Sequence, residues 1–221
     1  MRYRAIFLAS LALLGGCSAV PQARAPQKST VTRSTQTFTR RPEARQCLAS
    51  LGATRAAFTP LPDQNYGAGC WRVNTVQLAS LQGDQARLAL ANLGPVACPL
   101  AETLAGWARF GVDRAARQIL GSPLVRIETM GGYACRNVAG TSRRSAHATA
   151  NAVDVSAFIL ADGRRISVLN GWSGASAAER RFLTTIHASA CKRFGTVLGP
   201  AYNAAHRDHL HLELSGSAFC R

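Results

Sequence analysis

Two short segments of this chain set charged or imidazole side chains into an alternating apolar frame, and the alternation dictates where those groups can go. In Ala152-Val153-Asp154-Val155-Ser156, Asp154 stands between two valines; in His209-Leu210-His211-Leu212-Glu213-Leu214, every second residue is leucine. On a strand, side chains two apart share a face. Leu210, Leu212 and Leu214 are therefore expected in the core, with His209, His211 and Glu213 together on the other face. Asp154 likewise faces away from Val153 and Val155, and a carboxylate placed there needs a partner. His147 falls in a loop just before that strand. Four of the five histidines lie in the runs 145–155 and 206–214. Two His and one Asp with an open water position make a catalytic-type zinc set, because structural zinc sites close all four positions, usually with Cys.

The chain has 221 residues, enough for one domain with a real core. Its first residues are not part of it. Arg2 and Arg4 precede the apolar run Ala5 to Leu14, which reads as a signal peptide over 1–16, too short to span a membrane. Loss of Cys17 from the count of seven leaves Cys47, Cys70, Cys98, Cys135, Cys191 and Cys220, an even set suited to three disulfides in an exported protein. No CxxC pair occurs, which argues against a cysteine zinc site. Fifteen pairings are open to six cysteines; sequential pairing, 47–70, 98–135 and 191–220, is the expectation taken forward.

Charge divides unevenly. Removal of Arg2 and Arg4 takes the formal +15 to +13. Arg24, Lys28, Arg33, Arg40, Arg41 and Arg45 against Glu43 supply +5 of that, leaving +8 for residues 46–221. Residues 17–45 are rich in Ser, Thr, Gln, Pro and Arg without apolar periodicity, and read as a flexible basic tether. Such a tether is attracted to an anionic membrane or cell-wall polymer. Nucleic acid is the competing partner for a basic chain, but export and the lack of a nucleic-acid module argue against it.

Within 46–221, Val73 to Leu81 and Gln85 to Leu90 read as strands around a turn at Gly83-Asp84. Cys98 to Leu120 reads as a helix broken near Gly111, with Pro99 permitted in its first turn. Leu124 to Thr129 is a strand that leads into Gly131-Gly132-Tyr133-Ala134-Cys135-Arg136, and Ala152 to Leu160 is another, closed by Asp162-Gly163. Ser176-Ala177-Ala178-Glu179 is a capping box for a helix through Leu183, Ile186, Ala190 and Phe194, ending at Gly195. His187 lies on that helix's apolar face as a core histidine. Trp71, Trp107 and Trp172 read as core or pocket-wall residues. This mixed order predicts an α+β domain with a mainly antiparallel sheet and packed helices.

The pattern SxHxxxxxxDV followed by HxxHxH resembles the zinc peptidases of the D-alanyl-D-alanine carboxypeptidase and penicillin-insensitive murein endopeptidase group, whose fold is shared with the hedgehog signalling domain. More closely, residues from about Cys47 to Cys220 resemble the bacterial extensin-like C-terminal domain family. Gly132 to Arg136, Ser145 to Phe158, Phe194 to Pro200 and His206 to Leu212 carry that likeness. Leu14-Gly15-Gly16-Cys17 resembles the lipobox of bacterial lipoproteins. It implies lipid attachment at Cys17 and a periplasmic protein anchored at the outer membrane; cleavage further on, with Cys17 lost, is the plainer reading.

What the resemblance implies is a hedgehog/DD-peptidase-like, disulfide-stapled fold with His147, Asp154 and His211 as zinc ligands. Asp208 and His209 compete as general base. Arg136 would hold a substrate carboxylate or carbonyl. His206 is either a support just outside the ligands or a solvated loop residue, Asp208 could instead orient His209, and Glu213 reads as a solvated or arginine-paired edge residue. The implied chemistry is amide hydrolysis of peptidoglycan peptides, with zinc lowering the pKa of water from about 15.7 to about 7 and a nearby base moving its proton. The alternative is a zinc-containing cell-wall binding or structural lipoprotein without turnover. The group usually has Gly where Ala150 stands, and the acid often found just before His147 in the extensin-like family is absent.

Overall fold

The computed structural model describes residues 41–174, 176–214 and 218–221. The signal peptide, Cys17 and all but the end of the tether lie outside the described residues. In chain order the elements are α1 (Pro42–Ala53), β1 (Ala57–Pro60), β2 (Gln64–Gly67), β3 (Cys70–Arg72), β4 (Thr75–Gln82), β5 (Arg87–Ala91), β6 (Pro95–Ala97) and α2 (Cys98–Gly106). Then follow β7 (Leu124–Gly131), β8 (Ala152–Leu160), β9 (Arg165–Ser167), α3 (Val168–Gly171), α4 (Ala177–Cys191), β10 (Thr196–Leu198), β11 (Leu210–Glu213) and β12 (Phe219–Cys220). Residues 42–45, read as the end of the tether, already belong to α1. Pro42 and the first-turn acid Glu43 suit a helix start.

The large sheet runs β1-β4-β5-β7-β8-β11-β10-β12, with β6 also on β4 and β9 also on β8. It is mixed: β5 with β7 and β10 with β12 are parallel, the other described pairs antiparallel. The α+β class with disulfides therefore holds. Helices cover the face filled by Val153, Val155, Leu210 and Leu212. There Trp107 packs edge-on against Phe158 and Phe194, and its Nε1 donates to the Ile186 carbonyl at 3.0 Å. By alternation Asp154 and His211 take the opposite face.

The helix from Cys98 is not broken at Gly111. It continues past α2 in wider π-type turns, Trp107–Asp113 and Ala116–Leu120, and stops at the left-handed Gly121. Gly111 is there for close approach: a Cβ would lie 2.5 Å from Ser189 Oγ on α4 and 3.0 Å from Trp107 Cδ1. Ser176 caps α4 as expected, accepting from the Glu179 N–H at 3.2 Å, although the helix ends at Cys191 rather than Gly195. Trp71 is exposed, not core, while Trp172 packs its ring against His187. His187 is only half-buried; its Nε2 donates to the Arg221 carbonyl at 3.2 Å.

Of the three expected disulfides only Cys191–Cys220 forms. The others are Cys47–Cys98 and Cys70–Cys135, with Cα separations of 6.1 and 5.5 Å. α1 packs on α2, so Cys47 meets Cys98 at the first residue of that helix. β3 packs on the turn that bears His147, which brings Cys70 to the segment after β7. Neighbours in space, not in sequence, set both pairs. The second staple fastens the β2–β3 hairpin beside Arg136.

Candidate metal centre

His147 is placed by a short chain of local constraints. Ser145 Oγ accepts from the His147 N–H at 3.4 Å and opens a single 3-10 turn, Ala146–Thr149. The turn ends at Ala150 in the left-handed region, φ 58°, where glycine is ordinarily favoured. The ring is then aimed by a hydrogen bond from Nδ1 to the Gly132 carbonyl. Gly132 must be glycine, since a Cβ would lie 2.6 Å from Val96 Cγ1 and 2.8 Å from the Pro95 carbonyl oxygen. A carbonyl only accepts, so Nδ1 carries a proton and Nε2 is the ring nitrogen turned towards the other donors.

Strand register delivers the other two donors. Asp154 on β8 sits directly opposite His211 on β11. Asp154 Oδ1 lies 2.8 Å from His211 Nδ1, Asp154 Oδ2 lies 3.2 Å from His147 Nε2, and the two imidazole nitrogens are 3.3 Å apart. His147, Asp154 and His211 are 2, 6 and 7 % exposed, so water does little to screen this convergence. Burial alone would raise the Asp154 pKa, but hydrogen bonds from His147 and His211 overcome it and hold the carboxyl far below the usual range. Burial likewise opposes charge on His211, yet Asp154 and Glu213 together push its pKa well above the ordinary imidazole value.

The remaining predicted residues form a collar around this core. His209 Nε2 lies 3.7 Å from Asp154 Oδ1, while its Nδ1 is 2.8 Å from Asp208 Oδ1. Asp208 thus faces His209 rather than the buried trio, and that hydrogen bond lowers its pKa. Arg136 is half exposed and reaches back to Asp154 Oδ2 with Nη2 at 3.4 Å. His206 is held by Asn203 Oδ1 at 2.7 Å and packs its ring 5.0 Å from that of His209. Burial first, then the neighbouring His209 and His211, push its pKa down to about 4. Beyond Asp208, a depression on the same side is lined by Met130, Ser156, Arg165, Ser167, Leu169 and Asn170.

Residues 45–221 match the family described as Extensin-like protein C-terminus. The chain belongs to that family. No curated protein matches it, and no solved structure does. The extensin-like domain carries the donor geometry described above.

That geometry fits a metal. Three ligand atoms, one each from His147, Asp154 and His211, lie within 4.8 Å of one another. Each imidazole has its far nitrogen engaged by an acceptor, Gly132 O for His147 and Glu213 Oε2 for His211 at 3.2 Å. The near nitrogens and the carboxylate converge as electron pairs that only protons or a cation can reconcile. A second trio of His187, Cys191 and Cys220 is not comparable, because both sulfurs are tied in a disulfide.

Glu213 is the residue whose role the sequence reading misplaced. It is not a solvated or arginine-paired edge group; its carboxylate engages the His211 ring. The signal was present in the strand period, which puts positions 211 and 213 on one face.

Proposed function

We propose that this extensin-like domain is a zinc-dependent amide hydrolase acting on the peptide stems or cross-links of peptidoglycan. The observation that carries the reading is the buried convergence of His147, Asp154 and His211 beside the Asp208–His209 pair. Three protein donors leave a fourth tetrahedral position, the mark of a catalytic rather than structural zinc site. The likeness of SxHxxxxxxDV and HxxHxH to the D-alanyl-D-alanine carboxypeptidase and murein endopeptidase group supports the same chemistry.

Zinc bound to these ligands would polarise the scissile carbonyl and acidify a water. The chain's own groups handle the protons. His209 Nε2, on the ligand side of its ring, is placed to take a proton from the attacking water and return it to the departing amine as the C–N bond breaks. Asp208 holds Nδ1–H of His209 and so fixes which nitrogen is the base. Arg136, half exposed at the mouth, is suited to pair with a substrate carboxylate. Lipid attachment at Cys17 and the basic tether would keep the domain at the periplasmic face of the outer membrane, within reach of the wall.

The test is zinc-loaded full chain incubated with purified sacculi, with soluble products identified by mass spectrometry. Cleavage by the wild type, lost in His211→Ala and reduced at least a hundredfold in His209→Ala, is the expected result. Wall binding with no product from the zinc-loaded wild type would overturn hydrolysis and leave a metal-containing binding module.

A further inference from the structure

We infer that Glu213 is the positioning residue that presents His211 to the metal, an inference resting on the zinc reading above. His211 offers Nδ1 to the centre and has Nε2 3.2 Å from Glu213 Oε2. A carboxylate only accepts, so this contact needs a proton on Nε2, which leaves Nδ1 as the atom that could ligate a metal. The ring is held at both ends, by Asp154 at Nδ1 and by Glu213 at Nε2. With Nδ1 given to a metal, the contact with Asp154 would no longer orient the ring. The bond to Glu213 is then what keeps the imidazole plane in place, and the carboxylate's charge makes the ring a stronger donor. His147 has the corresponding restraint from the Gly132 carbonyl, so the two imidazoles are aimed by different means, one neutral and one anionic.

The backbone makes this pairing a product of register rather than of a flexible side chain's chance contact. β11 carries both residues on one face, and the residue opposite Glu213 on β8 is Ala152, whose small side chain leaves the carboxylate room to turn towards His211. Glu213 is itself three-quarters covered, which keeps water from replacing it at Nε2.

The experiment compares zinc affinity, by chelator competition, for the full disulfide-bonded chain and its Glu213→Ala and Glu213→Gln variants. Loss of the carboxylate is expected to weaken zinc 10–100-fold. The glutamine carbonyl, still able to accept from Nε2–H, is expected to recover most of that loss. In nitrogen-15 spectra of the zinc-loaded chain, a slowly exchanging His211 Nε2 proton should be present in wild type and Gln, and absent in Ala. Unchanged affinity in Glu213→Ala, or Gln behaving as Ala, would overturn the inference while leaving the zinc reading intact. A wild type that takes up no zinc would overturn that reading and this inference with it.

Discussion

Asp113 and Asp154 are both buried carboxylates in the extensin-like domain, and they are buried for opposite reasons. Asp113, fully enclosed, accepts from the Leu124 N–H at 3.0 Å, the Asp84 N–H at 2.9 Å and the Arg117 guanidinium at 3.3 Å. Those donors cannot give up their protons at any ordinary pH. Asp113 therefore knots the long helix to the β4–β5 turn and the start of β7. Around Asp154 stand three imidazoles and a half-exposed arginine, and an imidazole nitrogen can also ligate a metal. A carboxylate saturated by permanent donors is a structural knot; one ringed by imidazoles has the surroundings that suit a cation.

That contrast predicts a crossed pair of effects. Asp154→Ala should weaken zinc binding by at least a thousandfold, about 4 kcal/mol, read as metal content by mass spectrometry after dialysis. Zinc retained at wild-type stoichiometry would place the site elsewhere. Asp113→Ala should leave that stoichiometry intact yet lower stability by about 3 kcal/mol, because it strands the buried Leu124 N–H and the part-buried Asp84 N–H and leaves Arg117 without its carboxylate. For a domain of this size that is roughly a 10 °C fall in Tm, measured calorimetrically in chelator. An equal loss of zinc in both variants would erase the distinction.

The Asp113 side of the comparison extends to Asp84, which grips the Arg114 and Arg109 guanidiniums at 2.8 and 2.9 Å. Hydrogen bonds from Arg114 first and Arg109 second pull its carboxyl down to about 2, against a small opposing effect of burial. A folded-state value below the ordinary one means the contribution is complete above about pH 4. It is lost as the pH falls towards 2. About a quarter of the side chain is exposed, so screening limits the effect to about 1 kcal/mol. Denaturant titrations at pH 5 and pH 2 should show wild type and Asp84→Asn converging at the acid end. A gap that persists at pH 2 would contradict this assignment.

Much of the centre was legible before the fold because strand alternation is local. Val153 and Val155 fix the side on which Asp154 emerges, and Leu210 and Leu212 do the same for His211. Pairing of β8 with β11 then needed only one register to bring the two together. What escaped was set by distant contact. Nothing near Cys47 announces that α1 will lie on α2, nor does Cys70 reveal the turn it packs against. Gly111 looked like a break because its close approach to Ser189 is invisible in sequence. Glu213 is the intermediate case: its face was readable, but its choice of His211 over solvent depended on how deeply β11 is covered.

Ala150 shows the same division at the smallest scale. Its left-handed backbone, φ 58°, costs an L-residue about 1–2 kcal/mol, and its usual relief is glycine. The methyl group is nevertheless fully buried, and removing it forfeits about 0.8 kcal/mol of apolar burial. The two effects nearly cancel, so Ala150→Gly should stabilise the domain by only about 0.5 kcal/mol, within 2 °C in Tm. Zinc affinity should stay at the wild-type value, because the restraints on His147 come from Ser145 and the Gly132 carbonyl. A tenfold gain in affinity would instead mean that Ala150 strains the His147 turn and that the metal geometry is limited by this one methyl group.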